Sequence, residues 1–190
     1  MIFRIFDLII FKNDKFECSW DTFKSTQCYF SSKMEIIDYD VKYREQCNNC
    51  LLTAWKLINN QPQYVIDYIQ KHTQGDPLKT QLNRLVILHN QKTEERIIIG
   101  IIYCKVINKE IYIKHLAVLP DYQGQGIATA LLNDVKNYAY QHQMSKMWLY
   151  VEQFNIKAIK FYEKYGFINK GLQEIVPNRE YSNLYEYSFH

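Results

Sequence analysis

The stretch His115-Leu-Ala-Val-Leu-Pro-Asp-Tyr-Gln-Gly-Gln-Gly-Ile-Ala-Thr-Ala-Leu-Leu132 changes character twice along its length. It begins as an apolar strand, is interrupted at Pro120-Asp121, passes through the loop Gln123–Ala128, and continues as an amphipathic helix carrying Ala130, Leu131, Val135, Tyr138 and Ala139. Gly124 and Gly126 let that loop turn tightly and approach a ligand with no Cβ in the way. The first N–H groups of the helix point at the loop, and the helix macrodipole adds about half a positive charge there. Strand, loop and helix together make an anion site suited to phosphate oxygens.

The glycines alone do not name the ligand. A dinucleotide-binding loop needs a third glycine where Thr129 stands, and the lysine of a Walker A loop is absent. An ordinary strand–helix turn stays open on these residues by themselves.

Upstream, Met34–Tyr39 reads as a strand. Residues 41–59 then place Val41, Cys47, Cys50, Leu51, Ala54, Trp55 and Ile58 near helical spacing. Gln61-Pro62 breaks that helix, and Gln63–His72 gives a second one through Val65, Ile66 and Ile69, closed by Gly75-Asp76-Pro77. Leu82–Asn90, Arg96–Val106 and Glu110–Leu119 read as a three-strand meander with turns at 91–95 and Asn108-Lys109. Downstream, the helix from Ile127 runs to about His142, Met147–Val151 is a buried strand, and Asn155–Tyr165 is a helix ended by Gly166. Phe167–Glu174 and Leu184–Phe189 close the chain as strands around the loop Pro177–Asn183. The order predicts an α/β (α+β) fold, a mixed sheet covered by helices.

Residues 1–33 fit no single element: Asn13-Asp14-Lys15 reads as a turn and Ser31-Ser32-Lys33 as a linker. They are treated as an N-terminal extension, 1–33, ahead of a domain spanning 34–190.

Composition narrows the class. A net charge of +3, with no run of five like charges, gives no reason to expect nucleic acid. The apolar start Met1–Phe11 is broken by Arg4 and Asp7 and is shorter than the ~20 residues a membrane span needs, so no membrane partner is expected. Five scattered cysteines (Cys18, Cys28, Cys47, Cys50 and Cys104) suit reduced thiols in an intracellular, cytoplasmic protein. Cys47-Asn-Asn-Cys50 has zinc-ligand spacing but lacks a second pair, and both thiols fall on an apolar helical stripe. Buried thiols, with no metal, are the expectation.

The 115–132 stretch closely resembles the cofactor-binding motif of the GNAT superfamily of N-acetyltransferases, whose Q/R-x-x-G-x-G/A signature is met by Gln123, Gly126 and Ala128. Downstream, Asn155-Ile-Lys-Ala-Ile-Lys-Phe-Tyr-Glu-Lys-Tyr-Gly-Phe167 is similar to that family's second signature, N-x-x-A-x-x-x-Y-x-x-x-G-F. The resemblance covers about Met34 to His190 and is most specific over Leu116–Phe167. It implies a mostly antiparallel sheet of about six to seven strands flanked by four helices, with acetyl-CoA as cosubstrate.

The resemblance also implies roles. Leu116, Ala117 and Val118 would present backbone groups to the pantetheine arm, where their strand splays from its neighbour. The backbone amides of Gln123, Gly124, Gln125, Gly126, Ile127 and Ala128, with Thr129, would take the pyrophosphate. Asn155 would hydrogen-bond the pantetheine, while by its position it also reads as a helix N-cap. Tyr162 would protonate the departing thiolate as general acid.

The acetyl group would pass directly to a neutral primary amine. At pH 7 a lysine amine needs about 4.6 kcal/mol to lose its proton and an α-amine only about 1.4 kcal/mol, so a strong base matters most for lysine acceptors. Tyr112 is the candidate base or water-positioning residue, with Glu110, Glu152 and His115 as further candidates. Period two puts Tyr112 on one face of its strand with Lys114 and Leu116, and His115 on the other. Where some N-terminal acetylating relatives have His, this chain has Tyr150. The acceptor-facing parts carry Tyr64, Tyr68, Tyr181, Tyr185 and Tyr187, as aromatic walls or as packing, and no acidic cluster of the kind polyamines need. The expected partner is an amine of a small molecule, peptide or protein, and the expected state a monomer or homodimer. A catalytically silent acyl-CoA-binding sensor or partner subunit is the alternative.

Overall fold

Seven strands whose apolar residues alternate between two helical layers form the sheet of this protein. The computed structural model describes residues 11–12, 15–16, 32–56, 82–90, 93–176 and 180–189. The helix expected over Gln63–His72, with Tyr64 and Tyr68, lies outside them, as does most of the 1–33 extension. Within that extension β1 (Phe11–Lys12) and β2 (Lys15–Phe16) pair antiparallel, Phe11 opposite Phe16, and Asn13 and Asp14 of the expected turn lie outside the described residues.

The strands are β3 (Ser32–Asp38), β4 (Leu82–Asn90), β5 (Arg96–Ile107), β6 (Glu110–Val118), β7 (Lys146–Val151), β8 (Ile168–Val176) and β9 (Glu180–Ser188), in the spatial order β3-β4-β5-β6-β7-β9-β8. Every neighbouring pair is antiparallel except β6 and β7. That parallel step is bridged by α2 (Ile127–Gln141), because parallel neighbours need a crossover connection. A 3₁₀ turn over Val41–Tyr43, capped by the Asp40 carboxylate, leads into α1 (Arg44–Lys56), and α3 (Ile156–Lys164) follows β7. β9 begins four residues before the expected Leu184, since its pairing with β8 extends to Glu180 opposite Val176.

Two apolar layers hold the sheet. On one face Leu131, Leu132 and Val135 of α2 are wholly buried against Ile99, Ile102 and Met147. On the other, Cys47, Cys50 and Leu51 of α1 pack against Leu85, Ile101 and Tyr103. Each such side chain contributes ~1.5–3 kcal/mol of transfer free energy. Arg84 on β4 donates Nε–H to Asp134 of α2 at 2.9 Å and pairs with Asp38 of β3, tying helix to sheet.

β6 departs from simple alternation. Tyr103 pairs with His115 but Cys104 pairs with Ile113, so Lys114 is an extra residue in the strand. Ile111 and Ile113 face the α2 layer before this bulge, and Leu116 and Val118 face it afterwards. The expectation that Tyr112 shares a face with Leu116, and that His115 opposes both, is therefore corrected. One inserted residue slips the phase by one, so Tyr112 and His115 both turn to the α1 side.

Among the described residues no helix is long and apolar enough to cross a membrane.

Candidate active site

The parallel step between β6 and β7 is short. It pairs Glu110 with Lys146, Ile111 with Met147 and Tyr112 with Trp148, and then stops. Beyond it β6 stays bonded to β5 as far as Val118, and β7 stays bonded to β9 as far as Val151, so the two strands part between their outer neighbours. The paired end is pinned: Lys146 Nζ lies 3.0 Å from Glu186 and 3.5 Å from Glu110. A cleft of about 720 Å³ opens at the other end. Leu116, Ala117 and Val118 form its strand wall.

The loop after β6 is shaped by its own glutamines. Gln123 Nε2–H donates to the Val118 carbonyl at 3.1 Å, folding the loop back onto the strand end. Gln125 Nε2–H donates to the Asp121 carbonyl at 3.0 Å, and Gln125 does not line the cleft. Gly124 and Gly126 hold φ of +76° and +82°, with nothing within 4 Å of where a Cβ would stand. The inner face of the loop is bare backbone, as close approach of a diphosphate demands. Gly126 is the N-cap of α2 and no side chain caps that end, which leaves the first-turn amides for a ligand. Gln123, Gly124, Gly126, Ile127, Ala128 and Thr129 all line the cleft. The residues present fit a CoA pyrophosphate.

α3 supplies the facing wall. Asn155 Oδ1 accepts the Ala158 N–H at 3.2 Å, so Asn155 is the N-cap, and its amide nitrogen is not used by that bond. Tyr162 lines the cleft and is 7% exposed. Burial pushes its phenol above the ordinary tyrosine range, and the nearby Cys104 adds to that. Its hydroxyl therefore stays protonated at neutral pH. The Thr129 and Tyr165 hydroxyls meet at 2.6 Å, joining the start of α2 to the end of α3.

Tyr165, Phe154, Phe161, Lys157, Lys164 and, from the end of α1, Trp55 also line the cleft without having been singled out in the sequence. Phe154, Ala158, Phe161 and Tyr165 recur at intervals of three to four and define one helical face, so their spacing carried the signal.

The candidate bases are not brought together here. Tyr112 stacks on Trp148 at 4.4 Å and meets Tyr150 edge-on at 6.3 Å, on the α1 side at the last paired step. Glu110 sits at the pinned end with Lys146, and His115 contacts Tyr103 at 6.3 Å between ring centroids. Glu152 accepts the Ser182 Oγ–H at 2.8 Å. None of the four lines the cleft. Tyr185 and Tyr187 are packing: Tyr185 is 1% exposed and donates to Glu163, and Tyr187 lies under the Lys136 ammonium at 3.8 Å. Cys47 and Cys50 are buried, and burial raises their thiols to about 11 and about 12.

Residues 46–167 match the acetyltransferase (GNAT) family. A ribosomal-protein-alanine N-acetyltransferase of Haemophilus ducreyi is 36% identical over 80 residues, 42% of this chain and 55% of that one. The probable N-acetyltransferase san of Drosophila melanogaster is 33% identical over 89 residues, 44% of this chain and 45% of that one. The chain thus spans about half the length of the curated relatives it matches. Among solved structures, Arabidopsis thaliana Naa50 in complex with a bisubstrate analogue of CoA and an acetylated peptide superposes with a TM-score of 0.57, 26% identity, and coverage of 82% of this chain and 99% of that one. The PaiA N-acetyltransferase of Thermoplasma acidophilum in complex with coenzyme A shares the fold, with a TM-score of 0.66 at 18% identity over 83% of this chain and 99% of that one.

Proposed function

The chain belongs to the acetyltransferase (GNAT) family, and on that premise we propose that it transfers an acetyl group from acetyl-CoA directly to a primary amine. One observation carries the reading: the gap between β6 and β7 opens onto the uncapped amide end of α2. The gap suits the pantetheine arm, through the backbone of Leu116, Ala117 and Val118, while the 123–129 loop takes the pyrophosphate. The Asn155 amide nitrogen donates to a pantetheine carbonyl while its oxygen keeps capping α3.

In the transfer, the neutral amine nitrogen bonds to the thioester carbonyl carbon and gives up one proton to water. The C–S bond breaks with its electron pair leaving on sulfur, and the Tyr162 phenolate left by protonating that sulfur recovers a proton from water. Tyr162 donates to that sulfur. An ordinary phenol, with a pKa near 10, is a weaker acid than an ordinary thiol, near 8.5. Burial that raises the Tyr162 phenol also disfavours a desolvated thiolate, which raises the demand of the leaving sulfur for the Tyr162 proton.

Among the described residues no Asp, Glu or His side chain lines the cleft. That favours acceptors whose amine gives up its proton at lower cost, such as an α-amine, over lysine. The similarity to a ribosomal-protein-alanine N-acetyltransferase points the same way. The buried, free thiols Cys47, Cys50 and Cys104 support an intracellular setting.

The test incubates the protein and acetyl-CoA with amine and peptide libraries and follows free thiol. Acceptor-dependent release, falling roughly 10²–10⁴-fold in Tyr162→Phe, supports catalysis. Tight CoA binding with no turnover on any acceptor would instead assign a silent sensor or partner subunit. Failure to bind CoA sinks both.

A further inference from the structure

The side chains lining the cleft include two full charges, and both are positive: Lys157 and Lys164. Neither has an ion-pair partner among the described residues. Both are exposed on α3, seven residues apart, so they sit on one helical face ~10.5 Å apart along the axis.

The place of Lys157 runs against helix electrostatics. It is the second residue of α3, where the macrodipole favours an anion, and no acidic residue stands in that first turn. A cation there is compensated when an external anion binds beside it.

Coenzyme A carries such an anion. Its pyrophosphate is matched by the bare loop and the uncapped end of α2, but its ribose bears a separate 3′-phosphate monoester. At neutral pH a phosphate monoester carries about −1.5 to −2. Lysine ammonium groups on flexible stems suit a phosphate as point charges, without the fixed fork of arginine. We infer that Lys157 and Lys164 bind the 3′-phosphate of the donor and make the cleft select CoA over its dephospho form. The inference rests on the donor reading given above and adds a specificity element to it.

Calorimetric titration with CoA and with 3′-dephospho-CoA, on the wild-type chain and on a Lys157→Ala/Lys164→Ala variant, tests it. The wild type is expected to prefer CoA about tenfold or more at low salt, since charge-assisted phosphate contacts are lost with the monoester. The preference shrinks as ionic strength rises. In the double variant the ratio of CoA to dephospho-CoA affinity falls towards one, and Lys157→Arg/Lys164→Arg restores it. Because both side chains are exposed, an unchanged thermal midpoint marks the variant as folded. A wild type that binds both ligands equally, or a double variant that keeps the wild-type ratio, overturns the inference alone. A wild type that binds neither ligand overturns the donor reading and the inference with it.

Discussion

Tyr112 and Trp148 stack at 4.4 Å with their rings 23° apart, across the last paired step before β6 and β7 separate. The stack sits where the ladder ends, so it closes the strands up to that step and fixes where the cleft begins. An offset aromatic pair of this kind is worth about 0.5–1.5 kcal/mol beyond its buried area. A double-mutant cycle of Tyr112→Ala and Trp148→Ala, read by urea unfolding, is expected to return a coupling energy in that range. The single variants should also raise the KM for acetyl-CoA by loosening the throat of the cleft. Strict additivity of the two variants in stability would remove the clamp.

Asn155 caps α3, and in the proposed donor complex its amide nitrogen would also bind the pantetheine; substitution can separate the two roles. Asn155→Ala removes the cap and is expected to cost about 1 kcal/mol. Asn155→Asp keeps a capping oxygen beside the Ala158 N–H but has no amide donor, so stability should hold while acetyl-CoA binds more weakly. Thermal melts alongside donor KM values distinguish the two variants. Equal losses of stability would mean the cap is not what holds the start of α3.

Gly100 on β5 is the seat of α2. A Cβ there would lie 2.7 Å from Ile127 Cγ2 and 3.4 Å from Leu131 Cδ1. Gly100→Ala must therefore displace Ile127 in the first turn of the helix, the turn whose amides are proposed to take the pyrophosphate. The expected cost is about 1–3 kcal/mol of stability, the usual penalty for overpacking, together with weaker CoA binding. Unchanged CoA affinity in a destabilised variant would separate seating from binding.

The buried thiols set a pH limit. Burial raises Cys47 to about 11 and Cys50 to about 12, from an ordinary value near 9.0. The folded chain thus holds these protons at pH values where the unfolded chain has lost them. Their contribution is intact below about pH 9 and is lost as pH climbs through 11 and 12. Between pH 8 and 10.5 the wild type should lose roughly 1–2 kcal/mol per thiol more than Cys47→Ala/Cys50→Ala, although the variant is less stable at pH 8. Parallel pH slopes for the two proteins would refute this.

Much of this was legible in the chain. Gln123–Ala128 and Asn155–Tyr162 are local signals, because a loop that must expose backbone and a helix that must face a cleft are written in consecutive residues. The structure places most of those residues around one cleft, all but Gln125, Ile159 and Lys160, and the meander 82–118 forms with its expected boundaries within a residue. What alternation missed was the insertion at Lys114, since a bulge is defined by the partner strand and leaves no mark of its own in β6. The Thr129–Tyr165 contact was hidden for a related reason: it joins segments 36 residues apart in sequence. The parity argument for Tyr112 failed at that same insertion.

The bulge has a consequence for comparison with other chains. β6 is written in two reading frames, one ending at Ile113 and another starting at His115. Set against a strand without the extra residue, an ungapped alignment over 110–118 matches side chains to the correct wall on one side of Lys114 and to the opposite wall on the other. Deleting Lys114 would merge the frames into one regular alternation, with Ile113 followed directly by His115 opposite Tyr103. His115 and Ala117 would stay on the α1 side and Leu116 and Val118 in the α2 layer, so the deletion would straighten the strand without changing which wall its side chains serve.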